Sequence, residues 1–597
     1  MVFTDKETTV TKISLTGDHA AVPILLADQL ETVIAAGQKS LNSYNFQNPT
    51  KQTVDRMVQG TCGYNDQTCN YNITMVNKRT EANQVFVCGT SGTQTLCCNM
   101  NLSDTDPMCK SSEKTKGIED RISGFIVKEG DPYVLVESAV SANLYVAYSG
   151  IQDFVGIHKF GKDKVGPSNH DKEQHYVAVF PIMDPNDPVQ DKLYAFYREK
   201  NQDTDMYNEM WIPFVTSVCM VDTGGRKNAL QYSWTSQMNA RLFCGYPDNK
   251  QSFSELVDVA TVHGDRWQDT RFYGLFRNKW GMSAVCVYTM QDISNIFATS
   301  PFIKENGRPR ECNSNSKLIT LEILQKIEMT SEMEQWVRPE NNTAPLLFSH
   351  HHYTHIYVDH KKNDDHTVLF LSLNNGRIHK VMQSGTQTLV ISEYRPFDQH
   401  TNIFSMVLHP ASRKLYLKSR SELVQMDVSN CGQYGDNCED CILARDPYCG
   451  WNGTQCVPVN QGKLQDVTGG NYNICASEPR KEFRYSFGTS RDVNIARLPA
   501  QAKYFLRCPV SSHHAEYTWN HDKSSMPCST NEQQCIFLID SMGSNEKGTY
   551  KCVSEEMGYK KVVAQYNLEL ENRATVQLSS SLIWVCLVAV MIKSLSY

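Results

Sequence analysis

The sequence predicts an all-β protein in which a propeller is followed by a small cysteine-rich module and a β-sandwich. Three observations support this organisation. Short β-branched and aromatic runs fill residues 31–428, five cysteines crowd into residues 431–456, and Cys508 and Cys552 bracket Trp519. A chain of 597 residues is also too long for one hydrophobic core, which suggests about two to four domains.

The first segment alternates short strands and turns. Residues 85–88, 144–148 and 193–197 are β-branched or aromatic runs bounded by polar or turn-forming residues. So many strands exceed a single sandwich, and a propeller is the economical arrangement because radial repetition protects the sheet edges. The pattern alone leaves other all-β folds open.

Two hairpins stand out in this segment. Residues 368–373 and 377–381 flank Asn374-Asn375-Gly376, where the Asn-Gly pair predicts a type I′ turn with positive φ angles. Residues 414–418 and 423–428 predict a second hairpin.

The cysteine-rich module is too small to fold on its apolar surface alone, so its cysteines must act as staples or metal ligands. Cys438 and Cys441 form a C-x2-C pair and, with Cys449 and Cys456, could supply four zinc ligands. Zinc ribbons usually present two close pairs, however, and the second pair here is widely spaced. Six cysteines, Cys475 included, favour three disulfides instead.

The C-terminal part carries the marks of an immunoglobulin-like sandwich. Cys508 and Cys552 predict an intersheet disulfide, Trp519 the core side chain packed on it, and Tyr550 a tyrosine corner. A coincidental spacing is the alternative.

The composition describes a folded protein of an oxidising compartment. A net charge of -7 and a pI near 6.2 provide no basic stripe for nucleic acid. Of the 21 cysteines, Cys586 lies in an apolar tail, and the others form an even set that favours disulfides. Residues 1–30 lack the pattern of a signal peptide, so we expect that the natural start is missing or has been processed away.

Two motifs resemble a known family. The string Asp-Pro-Tyr-Cys-Gly-Trp at 446–451 resembles the plexin-semaphorin-integrin (PSI) module, and residues 271–276 and 280–293 are similar to the semaphorin domain, a seven-bladed β-propeller. The domain order resembles the semaphorin family over roughly residues 31–592, most of all its class 7, glycolipid-anchored member. This resemblance implies a sema domain at 1–429, a PSI module at 430–476, a linker at 477–493, an immunoglobulin-like domain at 494–570, and a spacer with an apolar tail at 571–597.

The resemblance also implies the disulfide pairs. In the propeller they are Cys62 with Cys69, Cys88 with Cys97, Cys244 with Cys286, and Cys219 with Cys312, which leaves Cys98 and Cys109 for each other. A swap of partners at the vicinal Cys97 and Cys98 stays open. In the module the pairs are Cys431 with Cys449, Cys438 with Cys475 and Cys441 with Cys456. In the sandwich, Cys508 pairs with Cys552, and Cys528 and Cys535 are expected to form an extra local bridge.

The function implied by the resemblance is that of an extracellular signalling ligand. It would bind a plexin receptor, of class C by resemblance, through its sema domain, work as a homodimer, and act in axon guidance, cell migration or immune signalling. The sequence contains no G-x-S-x-G elbow, P-loop or H-E-x-x-H motif, so we expect neither an enzyme nor a cofactor. The alternatives are a fragment of a plexin-like receptor and a secreted propeller hydrolase, although the repeated boxes of propeller sialidases are missing.

A histidine run is the best candidate for a metal site. His350 and His352 would share one face of an extended segment and could chelate a divalent ion, with His351 between them. A solvated strand and loop is the favoured interpretation, because residues 361–365 predict a hairpin tip that keeps nearby histidines in water. We therefore predict no metal site.

The integrin motif of class 7 semaphorins is degenerate here. The family places Arg-Gly-Asp just after the cysteine that aligns with Cys219, whereas this chain has Met220-Val221-Asp222. Because only Asp222 survives, the resemblance predicts weak or absent integrin binding.

Surface modification and anchoring are the last expectations. Sequons at Asn72, Asn101, Asn341 and Asn452 are candidate glycosylation sites. The apolar run 582–592 has 11 residues, against about 20 for a membrane span. With Asn572 or Ala574 as attachment residue and a spacer at 577–581, it resembles a glycosylphosphatidylinositol (GPI) signal, and predicts a protein held on the outer face of the plasma membrane.

Overall fold

The computed structural model describes residues 10–15, 20–27, 32–48, 56–62, 67–103, 109–151, 154–202, 210–246, 251–303, 310–360, 366–398, 400–460, 464–477, 493–522, 524–528 and 534–571. Two compact units are present. The first falls within residues 3–437 and 444–470, and the second within 438–443 and 471–597.

Seven antiparallel sheets of three or four strands follow one another through the described part of the first unit and form the blades of a propeller. The first strand of the described residues is β1 (Val10–Ser14). The first sheet contains β2 (Leu25–Leu26), β3 (Thr32–Ala36), β4 (Ser40–Asn45) and β5 (Arg56–Met57), and a ribbon of β6 (Gln59–Cys62) and β7 (Gln67–Asn70) follows it. The second contains β8 (Asn72–Lys78), β9 (Gln84–Ser91) and β10 (Gln94–Asn101).

Helix α1 (Lys116–Ile122) leads to the third and fourth sheets. The third contains β11 (Tyr133–Glu137), β12 (Ala142–Tyr148) and β13 (Gly156–Phe160). The fourth contains β14 (Gln174–Ile182), β15 (Lys192–Lys200), β16 (Trp211–Cys219) and β17 (Met238–Arg241), and a ribbon of β18 (Gly245–Tyr246) and β19 (Gln251–Ser252) follows it.

The fifth sheet contains β20 (Glu255–Val262), β21 (Arg271–Arg277), β22 (Ser283–Thr289) and, after an insertion, β23 (Leu347–Ser349). The insertion holds α2 (Met290–Thr299) and α3 (Leu321–Met329). The sixth sheet contains β24 (Tyr353–His360), β25 (His366–Leu373), β26 (Ile378–Ser384) and β27 (Gln387–Tyr394), and the seventh contains β28 (Ser405–His409), β29 (Lys414–Lys418) and β30 (Glu422–Asp427).

The N-terminal strand closes the ring. Strand β1 pairs antiparallel with β30, from Val10 opposite Met426 to Ser14 opposite Glu422, so the start of the chain completes the last blade. Lys418 on β29 adds a second link, because its buried ammonium donates hydrogen bonds to three backbone carbonyls of the first residues and first blade, those of Ala20, Val22 and Ala36. Burial lowers the pKa of Lys418 to about 8.

Both predicted hairpins are confirmed: Ser372 of β25 lies opposite Ile378 of β26, and Lys414 of β29 lies opposite Asp427 of β30. The type I′ turn predicted for the first is wrong. Leu373 N–H donates to the Arg377 carbonyl, Gly376 N–H donates to the Leu373 carbonyl, and Gly376 alone among residues 374–376 has a positive φ, 81°. A type I′ turn needs positive φ at both central residues, so this loop is instead a type I turn that ends in a left-handed glycine.

The cysteine-rich module adds α4 (Cys438–Leu443), β31 (Cys449–Trp451) and β32 (Cys456–Pro458). Its Asp446 and Lys380 of β26 form an ion pair in which both side chains are fully buried. Lys380 Nζ lies 2.8 and 2.7 Å from the two Asp446 carboxylate oxygens and also donates to the Val428 carbonyl. The Tyr434 hydroxyl and the Tyr448 N–H supply two further donors to Asp446. The pair therefore joins the sixth blade to the module.

Tyr448 of the Asp-Pro-Tyr-Cys-Gly-Trp motif contacts charged side chains on several sides. Its ring centroid lies 4.0 Å from Lys380 Nζ and 4.2 Å from the Arg413 guanidinium, and its hydroxyl donates to Asp359 of β24. The motif that identified the module thus contributes contacts with the propeller.

The second unit contains an immunoglobulin-like sandwich, as predicted. Its strands are β33 (Val493–Leu498), β34 (Tyr504–Pro509), β35 (Glu516–His521), β36 (Ser524–Pro527), β37 (Gln534–Ile539), β38 (Gly548–Glu556) and β39 (Tyr559–Leu570). They form a five-stranded sheet, β33-β39-β38-β35-β36, and a two-stranded sheet, β34-β37. The Cys508–Cys552 disulfide joins the two sheets, Trp519 is buried in their core, and the Tyr550 hydroxyl donates to the Glu546 carbonyl as in a tyrosine corner.

We predict that Asp446→Asn destabilises the propeller by about 3–5 kcal/mol, because it leaves the buried ammonium of Lys380 without a counter-charge. Urea unfolding of the whole protein measures this loss as a lower midpoint of the propeller transition. The matched control is Asp398→Asn, which makes the same chemical change in the exposed pair with Lys12 and should cost less than about 1 kcal/mol. Equal midpoints for the two variants would contradict the prediction.

Candidate functional site

The insertion between β22 and β23 carries the candidate binding surface and is fastened firmly to the fourth blade. The Cys219–Cys312 disulfide ties it to the end of β16. Further along, residues around Glu332 and Val337 form parallel bridges with Asn239 and Leu242 in and beside β17. The insertion therefore extends the fourth sheet as an additional edge.

Two polar side chains fix the insertion more closely. The Arg310 guanidinium donates to the carbonyls of Ile327 and Thr330, at the C-terminal end of α3, where a cation stabilises the exposed carbonyl groups. The Ser316 hydroxyl donates to the Gly224 carbonyl over 2.8 Å. Because Arg310 also donates to the Gln237 carbonyl, it links the C-terminal end of α3 to the fourth blade, and Ser316 links the turn before α3 to the loop after β16.

Helix α3 and the turn before it expose several large apolar side chains. Leu318 is 76% exposed and Met329 84%, Leu321 and Ile323 are also exposed, and Leu324 is buried. We call Leu318, Leu321, Ile323 and Met329 the apolar ridge. Several large apolar side chains exposed on one short segment are typical of a surface that binds another protein.

A cleft of 590 Å³ opens beside the ridge, and Met329 lies in its wall. Aromatic side chains of the fourth blade and of its β16–β17 loop contribute to its lining, and charged side chains of the insertion complete it: Tyr176, Tyr197, Phe214, Trp234, Lys326 and Glu332. Arg241 of β17 fixes Glu332 through a 2.6 Å ion pair. A pocket with aromatic walls next to exposed apolar side chains can receive an anchoring side chain of a partner.

Sequence reasoning did not find the ridge. Its only signal is that the apolar residues of Leu321–Met329 fall on more than one face of the helix, so one packing surface cannot bury them all.

Asp222, the remnant of the integrin motif, is a structural carboxylate. It is buried, and its oxygens accept hydrogen bonds from the N–H groups of Gly224, Thr235 and Ser236 and from both of the latter two hydroxyls. Its oxygens are committed to the loop after β16 and are not free to reach an integrin metal ion. We therefore expect that an Arg-Gly-Asp peptide does not compete for cell adhesion to this protein.

The candidate histidines serve packing contacts. His350 packs on Phe348, with ring centroids 5.3 Å apart, and the His351 ring lies 4.7 Å from that of His379. In the parts of the chain that the structure describes, no three His, Cys, Asp or Glu side chains are grouped to hold a metal ion. The predicted hairpin tip at 361–365 lies outside the described residues.

His379 belongs to a buried polar cluster of the sixth blade. Its ring nitrogens contact the Tyr353 hydroxyl at 2.7 Å and the Glu393 carboxylate at 3.1 Å, and Arg377 and Arg395 also donate to Glu393. Burial alone would raise the pKa of Glu393, but the hydrogen bond and charge of His379 and the two arginines lower it to about 2.

The remaining predicted site residues are the disulfide cysteines, the sequon asparagines and the anchor candidates. Eight disulfides coincide with expected pairs: Cys88–Cys97, Cys98–Cys109, Cys219–Cys312, Cys244–Cys286, Cys431–Cys449, Cys438–Cys475, Cys508–Cys552 and Cys528–Cys535. Cys441 and Cys456 are also disulfide-bonded. The side chains of Cys62 and Cys69, and the anchor candidates Asn572 and Ala574, lie outside the described part of the chain. All four sequon asparagines, Asn72, Asn101, Asn341 and Asn452, are exposed.

Three family models match the chain in this domain order. They are the Sema domain at residues 256–410, the Plexin repeat at 430–475 and the Semaphorin-3/4/7A immunoglobulin-like domain at 491–581. Among solved structures, Drosophila Semaphorin 2a is similar with a TM-score of 0.70 at 18% identity and covers 94% of this chain and 98% of its own. These matches define a sema propeller with a cysteine-rich module and an immunoglobulin-like domain.

The curated relatives narrow this class. Semaphorin-7A of Mus musculus is 28% identical over 91% of this chain and 83% of its own length, and that of Homo sapiens is 29% identical over 84% and 76%. Semaphorin-4C of Mus musculus is 31% identical over 67% of this chain and 53% of its own. The chain belongs to the semaphorin family, and its similarity to class 7 extends over most of its length.

We predict that Glu393→Gln costs about 2 kcal/mol of unfolding free energy at pH 7, an amount reduced to allow for partial solvent screening. Because the folded pKa of Glu393 lies below that of the unfolded chain, its stabilisation is present above about pH 4.5 and is lost as the pH falls through about 2.

Thermal unfolding of wild type and variant between pH 7 and pH 3 tests this. The difference in melting temperature should shrink at the acid end, whereas Glu322→Gln, in an exposed pair with Lys326, should show little difference at any pH. A Glu393→Gln effect that stays constant with pH would show that Glu393 is not held ionised by its partners.

Proposed function

We propose that this protein is an extracellular, cell-surface signalling ligand that binds a plexin receptor through its propeller. The observation that carries the proposal is the sema propeller with its exposed apolar ridge. A solved structure titled Drosophila Plexin A in complex with Semaphorin 1b supports it, since its matching chain covers 76% of this chain with a TM-score of 0.58 at 19% identity. The resemblance to class 7 favours a class C plexin.

We place the receptor contact on the apolar ridge and its cleft. Binding there would bury Leu321 and Ile323, which are in contact with water in the free protein, and the hydrophobic effect rewards that burial. The disulfide and the Arg310 hydrogen bonds hold the surface in place before binding, so little conformational entropy is lost on association. The mechanism is presentation of a rigid surface rather than catalysis.

The receptor alternative is less well supported. The extracellular region of Plexin A4 is similar in fold, with a TM-score of 0.54, but at 12% identity that likeness concerns the fold alone. The immunoglobulin-like segment, in contrast, matches a model specific to semaphorins. A semaphorin ligand therefore explains both the propeller and the immunoglobulin-like segment.

We predict that the double variant Leu321→Glu/Ile323→Glu binds a plexin class C ectodomain at least about tenfold more weakly, because buried charge replaces apolar contact at the centre of the interface. Surface plasmon resonance with the immobilised receptor measures the affinity. Met557→Glu is the matched control, since it adds the same charge at an exposed apolar residue of the immunoglobulin-like domain.

The outcomes separate two claims. If the double variant binds plexin as tightly as the wild type does, the ridge is not part of the interface, although the plexin-binding proposal still stands. If the wild type bound no plexin and instead hydrolysed a glycan or ester substrate, the ligand proposal itself would fail.

The homodimer is part of the same proposal. Two copies of the ligand would present two propellers, and a second contact within one complex is favoured by a high effective concentration. Light scattering on the same preparations measures the mass. A monomer at micromolar concentration would contradict the homodimer.

We further propose N-glycosylation at the four exposed sequon asparagines and a GPI anchor that replaces the apolar tail. Every helix in the described part of the chain is too short or too polar to cross a lipid bilayer. The run 582–592 is itself about half the length of a spanning helix, and a spacer followed by such a run fits an attachment signal.

We predict that phospholipase C specific for phosphatidylinositol releases the protein from cells that express it with a signal peptide. Val588→Arg should abolish surface anchoring, because a charge interrupts the apolar run, whereas Ser596→Arg, outside the run, should not. Flow cytometry before and after the enzyme measures both. Retention on the surface with residues 582–592 still detectable by mass spectrometry would show that the tail is not removed.

A further inference from the structure

A second cleft lies where the insertion meets the loop after β17 and has no role in the proposed receptor contact. Its volume is 780 Å³, and it lies between α2 and residues 335–342. Phe243, Asp292, Ile296, Trp336 and Asn341 are among the residues that line it. Asn341 is the exposed asparagine of a sequon, so a glycan attached there would begin at the cleft itself.

The lining combines aromatic faces with planar polar groups. Trp336 is 44% exposed, with the Arg241 guanidinium 5.6 Å from its ring, and the Arg338 guanidinium lies 5.2 Å from the ring of Phe243. A pyranose has an apolar face of C–H groups and a rim of hydroxyls. Aromatic rings suit the first and carboxylate, amide and guanidinium groups suit the second, so the cleft has the chemistry of a carbohydrate site.

Asn341 is held in a fixed turn at this cleft. It lies in the short 3-10 segment Glu340–Asn342 with φ 57° and ψ 23°, and the Asn342 N–H donates to the carbonyl of the buried Pro339 over 2.8 Å. The Thr343 hydroxyl donates to the Glu340 carbonyl over 2.9 Å. Because the turn is pinned, a sugar on Asn341 would stay near Trp336, and this tethering gives it a high effective concentration at the cleft.

We propose that the inner sugars of an N-linked glycan on Asn341 lie in this cleft and cover Trp336. The inference rests on the glycosylation proposed for Asn341. It assigns the cleft an occupant that belongs to the protein itself, and it predicts that this glycan is less accessible than those at the other exposed sequons, Asn72, Asn101 and Asn452.

The test uses the native protein expressed with its glycans. Peptide-N-glycosidase F is added without denaturant, and mass spectrometry follows removal at each site. We expect removal at Asn341 to be about two- to tenfold slower than at the other three sites, with the sites equal after denaturation. Trp336→Ala should speed removal at Asn341, and Trp280→Ala, at another exposed tryptophan, should not.

Hydrogen exchange supplies a second measurement on the unmutated protein. The glycosylated protein is compared with the same protein after peptide-N-glycosidase F has removed the Asn341 glycan. Amides of α2 should exchange more slowly in the glycosylated protein.

Each outcome has a distinct meaning. Glycans present at Asn341 but removed as fast as the others, with equal exchange in α2, would overturn the docking and leave glycosylation standing. An unmodified Asn341 in the native protein would overturn both. Capture of a different protein at this cleft in place of the glycan would also count against the inference.

Discussion

The buried pair of Lys380 and Asp446 is the contact on which the junction of propeller and cysteine-rich module depends. Burying a charged group away from water costs free energy unless hydrogen bonds and an opposite charge compensate for the lost water. Here the Asp446 carboxylate accepts hydrogen bonds from Lys380, from the Tyr434 hydroxyl and from the Tyr448 N–H. These contacts fix the chain at 446–448, directly before Cys449, which bonds Cys431. The electrostatic contact and the disulfide therefore constrain the same short segment.

Buried charged side chains also join other neighbouring blades of the propeller. Lys159 of β13 donates to the carbonyls of Met220 and Asp222 in the next blade's loop, and Lys418 donates across the closure of the ring. Arg79 and Glu137 form a buried pair between the second and third blades. Apolar packing alone tolerates small slips between sheets, whereas a donor that loses its acceptors leaves a buried charge unpaired. The buried cations thus specify how neighbouring blades meet.

Local patterns made most of the fold predictable. Strand periodicity indicated the blades, and the spacing of Cys508, Trp519 and Cys552 indicated the sandwich, because both signals lie within short stretches of chain. The functions of Lys380 and Asp222 were not predictable, since the same residue types occur more often on surfaces and their burial depends on partners far away in the sequence. The turn type at Asn374-Asn375-Gly376 was predicted wrongly for a different reason, because the length of the hairpin loop decides the turn type.

The apolar ridge was hidden from sequence reasoning because a helical apolar pattern ordinarily indicates a packed face. Here the constraints on the insertion decide otherwise. The Arg310 hydrogen bonds and the backbone bridge at Glu332 hold the C-terminal end of α3 in an orientation that buries Leu324 and leaves Leu321 and Ile323 exposed. The free protein retains exposed apolar surface that a looser insertion could have hidden. An exposed apolar surface held in this way is typical of one that another protein covers, and this is the physical reason why we propose the receptor contact there.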